Sequence, residues 1–395
     1  MNLHGTVRAP RELIFGYGQR HALGRIARKL ARKALLITDA RLAADNDLHG
    51  MVAQLEQEGL AVRVDSSTLP DVPVESAQAS AAAARDFAPE VVIGVGGGSC
   101  LDMAKCVATL LAHGGAPQDY YGEHLVPGPI RPVIALPTTA GTGSEVTPVA
   151  VLSDTERSLK VGISSPYLVP TVALCDPELT LSCPPGLTAI SGADAMTHAI
   201  EAFTAITREA TPGMAQERVF VGKNALSDHF ALRAMALLWE GLEAAYRDGS
   251  DRQARAKVMM GATLAGLAFG AAGTAAAHAI QYPVGALTHT AHGAGVACLM
   301  PYVMAWNTPA IQTELRQIAQ TLGLPDEHAV IPAIAGLFER IGIPPTLRDL
   351  GLAEHDIDWV AQQSCSIARL VQNNPRALPP EDMRSLINVA YAGTR

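Results

Sequence analysis

The stretch EVVIGVGGGSCLDMAK, Glu90–Lys105, is the strongest local indication of the fold. A β-rich run, 90–95, leads through glycines and Ser99 into a segment of helical composition that extends to about Leu111. Such a turn places bare backbone N–H groups at the positive end of a helix, where a pyrophosphate binds well. The spacing differs from G-x-G-x-x-G, so a tight turn capped by Ser99 explains the pattern equally well.

The sequence on both sides of this stretch alternates between strand-like and helix-like segments. Strands are predicted at 34–38, 60–64 and 133–136, and helices at 46–59 and 74–88. This alternation is typical of a parallel β-sheet covered by helices. We therefore predict an N-terminal, Rossmann-like parallel α/β domain over residues 1–182.

The pattern changes after the turn CPPG at 183–186. Beyond it the sequence contains long segments rich in Ala and Leu and no convincing strand. Helices are predicted at 191–206, 226–247, 254–281, 292–305, 308–322 and 328–341. We predict an all-helical domain over residues 183–395.

Composition excludes several classes of protein. The 395 residues are 48% apolar and 17% charged, which excludes a disordered chain. The net charge of -8 and the lack of a basic cluster argue against a nucleic-acid partner. The N-terminus has no secretory pattern, and six cysteines without a C-x-x-C pair suggest reduced thiols, so a cytoplasmic protein is expected.

A segment of 56 residues, Val258–Thr313, contains no Asp, Glu, Lys or Arg. Its beginning, 258–280, is long enough to span a bilayer and includes the G-x-x-x-G pair Gly266 and Gly270. However, it consists mainly of Ala and Gly and lacks a second span, an aromatic belt or a cationic flank. A buried core helix is therefore expected rather than a membrane segment, and the low charge favours a homo-oligomer with buried subunit contacts.

A second loop, TTAGTGSE at 138–145, follows the predicted strand 133–136. Its hydroxyls can bond to phosphate or ribose oxygens, although a helix cap is an alternative. Two such loops after successive strands favour a dinucleotide. Asp39, at the end of the first strand, can accept hydrogen bonds from a ribose diol and would repel a 2′-phosphate. This favours NAD over NADP. The alternative is that Asp39 is only a solvated turn residue.

Histidines and one aspartate form a candidate metal site. Asp194 and His198 are four residues apart and share a helix face, although such a pair alone more often forms a surface hydrogen bond. His278, His289 and His292 lie in the uncharged segment, where a histidine needs a hydrogen-bond partner or a metal. On spacing alone, either His289 or His292 could be the further ligand beside His278. One Asp with three His suits a divalent ion, and both Fe²⁺ and Zn²⁺ fit.

Several long motifs, in order, resemble the iron-containing (group III) alcohol dehydrogenase family over nearly the whole chain. They are FGYGQ near residue 15, GGGSCLDMAK, PTTAGTGSEVT, KVGISSPYLVPTVALCDPEL, GADAMTHAIEAF and the HAIQYPVGA and HTAHG segments. The resemblance implies a dehydroquinate synthase-like architecture, in which metal and nicotinamide meet in the cleft between the domains. It implies an enzyme that transfers a hydride between a small alcohol, or its aldehyde or ketone, and NAD, with Fe²⁺ favoured over Zn²⁺.

The resemblance also implies roles for individual residues. The metal ligands would be Asp194, His198, His278 and His292, which places His292 ahead of His289. The cofactor contacts would be Gly96, Gly97, Gly98, Ser99, Thr138, Thr139, Thr142, Lys160 and Leu179. To these we add Asp39, from its position at the end of the first strand, and Asp102 of the GGGSCLDMAK motif. The second domain would then be the metal- and substrate-binding domain.

Tyr282 departs from the commoner family pattern, in which alcohol-specific members carry a histidine four residues after the third ligand. Its hydroxyl can relay a proton but is a poor base near neutrality, and a packing role is the alternative. Tyr282-Pro283 and the segment 207–228 resemble the hydroxyacid–oxoacid transhydrogenase branch, so that activity, or a hydroxyacid dehydrogenase, is the second hypothesis. Four basic residues could bind the carboxylate of such a substrate: Arg157, Lys160, Arg208 and Lys223. The alternative is that they are ordinary surface charges or cofactor contacts.

Overall fold

The computed structural model describes residues 4–154 and 159–394, so Arg157 lies outside the described residues. The N-terminal half contains a six-stranded sheet with the strand order β1-β9-β6-β4-β2-β3, in which every neighbouring pair is parallel. The strands are β1 (Glu12–Phe15), β2 (Lys33–Ile37), β3 (Ala61–Asp65), β4 (Val91–Gly96), β6 (Val133–Pro137) and β9 (Val172–Cys175).

Helices connect these strands and cover both faces of the sheet. They are α1 (Leu23–Leu30), α2 (Ala40–Ala43), α3 (Asn46–Gln57), α4 (Val74–Ala84) and α5 (Gly98–His113). One apolar cluster packs α1 and α3 against the sheet, and another packs α4 and α5 against it. The predicted parallel α/β fold is confirmed.

A second, three-stranded sheet was not expected from the sequence. It has the order β5-β8-β7 and consists of β5 (Gly122–Glu123), β7 (Val149–Asp154) and β8 (Leu159–Ser164). β7 and β8 pair antiparallel, from Val149 opposite Ser164 to Asp154 opposite Leu159.

In the described residues after Cys183, all regular structure is helical, as predicted. The helices are α6 (Pro185–Thr204), α7 (Met214–Glu217), α8 (Ala225–Arg247), α9 (Arg252–Ala272), α10 (Ala276–Thr288), α11 (His292–Asn307), α12 (Gln312–Leu322), α13 (Val330–Arg340), α14 (Ile357–Ser366), α15 (Ala368–Val371) and α16 (Pro380–Ala392). Their apolar faces form one large core around α6, α8, α9 and α11. The domain boundary after residue 182 stays a prediction.

The prediction of one continuous helix over 254–281 is wrong. The chain bends by 103° between α9 and α10, and Gly273 takes a positive φ of 82°. Asn373 Nδ2 donates to the carbonyls of Ala272 and Thr274 at 2.9 and 3.1 Å. These bonds satisfy the carbonyls that the interrupted helix leaves without partners.

The possibility of a membrane span was also tested on the described residues. No single helix among them is long and apolar enough to cross a bilayer, while α9 and α10 together meet the length and composition criteria as a bent pair.

Gly266 and Gly270 of α9 lie against the second glycine loop. A Cβ at Gly266 would come within 2.6 Å of Val146 Cγ2 and 2.9 Å of Gly143 Cα, and one at Gly270 would come within 3.2 Å of Pro148 Cδ. The G-x-x-x-G pair thus allows the backbone of α9 to approach the sheet half closely.

Candidate active site between the sheet and the helices

Three neighbouring strands bring the candidate cofactor residues together. β4 pairs in parallel with β2 on one side and with β6 on the other. The carboxyl ends of these strands therefore meet at one edge, where Asp39, the GGGS loop and the TTAGTGSE loop follow directly. Ligands of open parallel sheets bind at this edge.

The GGGS loop has the backbone geometry that its glycines predict. Gly96 has a φ of 150°, and a Cβ there would lie 2.4 Å from Cys100 Sγ. The 16-residue helix α5 begins at Gly98 with no side-chain cap, so its first N–H groups are available to an anion. A Cβ at Gly98 would come within 2.5 Å of Thr142 Cγ2, so the glycine also permits the two loops to touch.

Asp102 and Lys105 of α5 hold the second loop in place. Asp102 accepts from Ser144 Oγ at 2.6 Å and from the Val151 amide at 3.0 Å. Lys105 Nζ donates to the carbonyls of Thr147 and Val149 at 2.9 and 2.8 Å. Both Asp102 oxygens therefore already have partners from the protein, although Asp102 also lines the cavity.

Asp39 caps the N-terminus of α2 and also lines the main cavity. Its Oδ1 accepts from the Leu42 amide at 2.8 Å and so caps α2. Its Oδ2 lies 3.9 Å from Cys100 Sγ, and the side chain of Arg41 lines the same end of the cavity. The carboxylate is therefore more than a solvated turn residue.

A cavity of about 680 Å³ lies between the sheet edge and the helices. It brings together most of the sequence-predicted site residues, namely Asp39, Gly97, Gly98, Ser99, Asp102, Thr138, Thr139, Thr142, Lys160, Asp194, His198, His278, Tyr282 and His292. Gly96 does not line this cavity, and Leu179 lines a separate cavity of about 310 Å³ to which Thr138 also contributes. Their proposed contacts with the cofactor stay predictions.

The candidate metal ligands come from three helices. One potential ligand atom each from Asp194 on α6, His278 on α10 and His292 on α11 lies within 4.8 Å of the other two. His198, one turn after Asp194 on α6, brings Nε2 to 3.6 Å from Asp194 Oδ1. His289, the alternative on spacing, is exposed at the end of α10 and does not line the cavity.

Each of these four side chains has a buried polar atom with no hydrogen-bond partner among the described residues. The atoms are Asp194 Oδ1, His198 Nδ1, His278 Nε2 and His292 Nδ1. Leaving a buried polar atom unsatisfied is costly, so the unsatisfied atoms of Asp194, His278 and His292, whose side chains converge, indicate a ligand that satisfies them. The donor set fits a divalent ion.

Burial keeps His198 and His292 in the form that binds metals. Burial lowers the pKa of His198 to about 4, although Asp194 raises it. Burial also lowers the pKa of His292 well below its ordinary value, and the nearby Lys160 adds to this effect. Neutral imidazole is the metal-binding form.

Glu201 was missed as a site residue, although the motif GADAMTHAIEAF contains it. Its Oε2 lies 2.6 Å from His278 Nδ1, and its carboxylate also accepts from the amides of Ala275 and Ala277 at 2.8 Å each. The available signal was a carboxylate about one turn after His198 and two turns after Asp194, on the same helix.

Tyr282 lies beside the histidines on the cavity wall. Its ring centroid is 5.9 Å from that of His292. Burial raises the pKa of its hydroxyl, although Arg369 lowers it. Phe269 completes this wall by stacking on His198 with ring centroids 4.3 Å apart.

Only some of the basic residues that were predicted to bind a substrate carboxylate line a cavity. Lys160 lines the main cavity and pairs with Asp71 at 2.7 Å. Lys223 pairs with Asp228 at 2.8 Å and does not line it. Arg208 lines a smaller neighbouring cavity, and Arg369, which no sequence motif marked, lines both.

Comparison with known proteins agrees with the fold and identifies the family. The family model described as iron-containing alcohol dehydrogenase matches residues 10–177, and that of the C-terminal part of the same family matches residues 188–391. The chain is 36% identical over 375 residues to long-chain-alcohol dehydrogenase 1 of Geobacillus thermodenitrificans, covering 92% of this chain and 91% of the relative.

Two solved structures share the whole architecture. A 1,3-propanediol oxidoreductase superposes with a TM-score of 0.90 at 30% identity, covering 98% of this chain and 100% of the other. A sulfoacetaldehyde reductase from Bifidobacterium kashiwanohense, in complex with NAD⁺, superposes with a TM-score of 0.86 at 28% identity and full coverage of both chains, 100% each.

The fold and the site thus define a metal-dependent oxidoreductase of alcohols or aldehydes. The chain belongs to the iron-containing alcohol dehydrogenase family.

Proposed function

We propose that this protein transfers a hydride between a small alcohol, or its aldehyde or ketone, and NAD, with Fe²⁺ as the metal and Zn²⁺ as the alternative. One observation carries the proposal. Asp194 and three histidines, each with an unsatisfied buried atom, line the same cavity as the glycine loop at the N-terminus of α5, which has no side-chain cap. The name of the family supports iron.

The metal would be held by Asp194, His198, His278 and His292. A divalent ion bound there supplies Lewis-acid polarisation of the substrate oxygen. Asp194 contributes the negative charge that balances the ion, and Glu201 orients the His278 ring through its Nδ1.

NAD would lie along the loops at the sheet edge. Its pyrophosphate suits the N-terminus of α5 at Gly97–Ser99, and the hydroxyls of Thr138, Thr139 and Thr142 line the adjacent wall. The NAD⁺ complex of the related sulfoacetaldehyde reductase supports this cofactor. Asp39 would accept hydrogen bonds from the ribose diol.

Tyr282 is the candidate for proton relay. Because burial raises the pKa of its hydroxyl, the group stays protonated near neutrality and acts as a hydrogen-bond donor. It would pass a proton through its hydroxyl rather than remove one as a base. Phe269 of α9, stacked on His198, lines this end of the cavity and would exclude water from it.

The test is a panel of alcohols, aldehydes and hydroxy acids, assayed with NAD and with NADP after addition of Fe²⁺ or Zn²⁺. The proposal expects metal-dependent turnover of at least one alcohol–aldehyde pair with NAD. Full turnover by metal-free protein would contradict it, and exchange between a hydroxy acid and an oxo acid without added NAD would favour the transhydrogenase instead. A cytoplasmic location and a homo-oligomeric state also stay proposals, supported by free thiols at all six cysteines and by the low charge.

A further inference from the structure

A second cavity, of about 210 Å³, adjoins the main cavity. The two share Phe220 and Arg369 as lining residues. The second cavity is also lined by Arg208, Arg218 and Glu123, and we refer to it as the arginine pocket. Three guanidinium groups against one carboxylate give it a net positive charge.

The protein compensates the positive charge of this pocket only in part, through Glu123. Among the described residues, no carboxylate oxygen lies within 4.0 Å of a guanidinium nitrogen of Arg208, Arg218 or Arg369. Glu123, the acidic residue of the pocket, accepts from the Val219 amide at 2.6 Å. The pocket therefore has guanidinium donors available for an anion.

Two of the arginines are also poorly satisfied. Arg208 Nε is buried without a hydrogen-bond partner, and Arg208 Nη2 makes only long contacts of 3.3 and 3.4 Å to Gln372 and Asn373. The Arg369 guanidinium lies over the Phe220 ring at 4.6 Å and makes no hydrogen bond within the described residues. Burial lowers the pKa values of both groups. Both side chains are half-buried, so guanidinium groups without a carboxylate partner are available there to pair with an anionic ligand.

The position of the pocket points to the substrate rather than to the cofactor. No residue of the GGGS loop or of the TTAGTGSE loop lines the arginine pocket. Instead, Arg369 lies near Tyr282 and shares the main cavity with His198, His278 and His292. A molecule whose reacting oxygen lies at the histidines can therefore extend a second group toward Arg369.

We propose that the arginine pocket binds the anionic group of the substrate, which is a small alcohol or aldehyde carrying a carboxylate or a sulfonate. This inference rests on the proposed function and specifies its substrate class. Arg369 makes the central contact, since it lines both cavities, and Arg208 supplies further donors from the side of α7 and the preceding loop. A planar guanidinium pairs with either oxyanion through two parallel hydrogen bonds.

The test compares aldehydes of equal chain length that differ in charge. The probes are the ω-oxo acids of two to five carbon atoms, sulfoacetaldehyde, and the neutral aldehydes of matching length, each reduced with NADH by the metal-loaded protein. The inference expects kcat/KM for the best anionic probe to exceed that of its neutral counterpart by at least about tenfold. Whether the best probe is a carboxylate or a sulfonate identifies the anion.

Substitution of the arginine tests the residue itself. Arg369→Met should lower the ratio of anionic to neutral kcat/KM about tenfold to hundredfold, mainly through KM, and Arg369→Lys should retain part of the ratio. Arg348→Met is the matched control, because Arg348 also lies over an aromatic ring, that of Tyr391 at 4.7 Å, but lines neither cavity. If Arg369→Met does not fold, Arg208→Met provides the same comparison.

The outcomes separate this inference from the proposed function. Turnover of neutral aldehydes without preference for any anionic probe, or an unchanged ratio in Arg369→Met, would overturn the inference alone. Absence of NADH-linked turnover with every probe would overturn the proposed function and, with it, this inference.

Discussion

His278 Nδ1 lies 2.6 Å from Glu201 Oε2, and this contact fixes which nitrogen of the ring is left for a metal. Burial raises the pKa of Glu201, but the proximity of His278 and two backbone N–H groups outweigh it, so the net pKa is lowered and the group is ionised. Glu201 therefore accepts the proton of Nδ1–H. The lone pair of Nε2 then points toward Asp194, whose Oδ1 lies 3.8 Å away.

Glu201→Gln should weaken metal binding without removing a ligand. The neutral amide holds His278 less firmly in its ligating tautomer, so we expect the apparent Kd for Fe²⁺ or Zn²⁺ to rise about tenfold to hundredfold. The measurement is a metal titration against a competing chelator. Glu243→Gln is the control, since Glu243 pairs with Arg340 at 2.7 Å away from the cavity. Equal metal affinity in Glu201→Gln and wild type would contradict an orienting role.

Gly266→Ala should push α9 and the TTAGTGSE loop apart. The new methyl group would lie 2.6 Å from Val146 Cγ2 and 2.9 Å from Gly143 Cα, so the second loop must shift. We expect the free energy of unfolding to fall by about 1–3 kcal/mol and NAD to bind more weakly. Chemical denaturation and a fluorescence titration with NADH measure the two effects.

A helical glycine with free space around it provides the control for that substitution. Gly50 lies in α3 with nothing within 4 Å of its would-be Cβ. Gly50→Ala should therefore raise the stability by about 0.5–1 kcal/mol. If Gly266→Ala behaves like Gly50→Ala, the close contact between α9 and the loop is not important for stability.

Lys105 should give the fold a characteristic pH dependence. Burial lowers its pKa from its ordinary 10.5 to about 8, although Asp102 and Glu145 raise it. Between these values the unfolded chain binds a proton that the folded protein does not, so stability rises with pH. The free energy of unfolding of wild type minus that of Lys105→Met should be constant below pH 8 and rise by about 1.4 kcal/mol per pH unit up to about 10.5.

Denaturant titrations at several pH values between 6 and 10.5 measure this difference, and the values at pH 6 and 7 serve as the internal reference. A difference that falls as the pH rises, or that does not change, would show that Lys105 is not a buried amine with a lowered pKa.

Asp39→Asn should relax the choice between NAD and NADP. Asparagine keeps the cap on α2, because its side-chain oxygen can accept from the Leu42 amide as Asp39 Oδ1 does at 2.8 Å. It removes the negative charge beside Arg41, so the ratio of kcat/KM for NADP to that for NAD should rise about tenfold, or ~1.4 kcal/mol. The ratio is measured with one alcohol at saturation.

Asp45→Asn is the matched control for this change. Asp45 also caps a helix, α3, through a 2.9 Å bond from the Asp47 amide, but it does not line the main cavity. An unchanged ratio in Asp39→Asn, or an equal rise in Asp45→Asn, would remove Asp39 from the cofactor site.

The sequence was informative wherever the chemistry depends on local spacing. The GGGS loop could be placed because its glycines lie between a β-rich run and a helical segment, although a turn capped by Ser99 explained the pattern equally well until the second loop and the family resemblance were considered. Asp194 and His198 could be placed on one helix face because they are four residues apart. The choice of His292 over His289 came from the family resemblance, since both histidines fit the spacing.

Features that depend on contacts distant in sequence were not predictable. An Ala-rich segment reads as one helix, and the bend at Gly273 depends on Asn373, a hundred residues further along the chain, which bonds to the carbonyls of Ala272 and Thr274. Arg369 had no motif because only tertiary structure brings α15 to Phe220 and the cavity. The antiparallel pair β7 and β8 was likewise not visible in the pattern of apolar residues.

The central claim is that Asp194 and the three histidines hold the metal on which alcohol oxidation depends. The most direct test is to strip the protein with a chelator, add back Fe²⁺ or Zn²⁺, and record both bound metal and NADH formation from a small alcohol in wild type and in Asp194→Ala. We expect wild type to recover about one ion per chain together with its activity, and Asp194→Ala to recover neither. Full activity of the stripped wild type, or equal metal content and activity in Asp194→Ala, would contradict the claim.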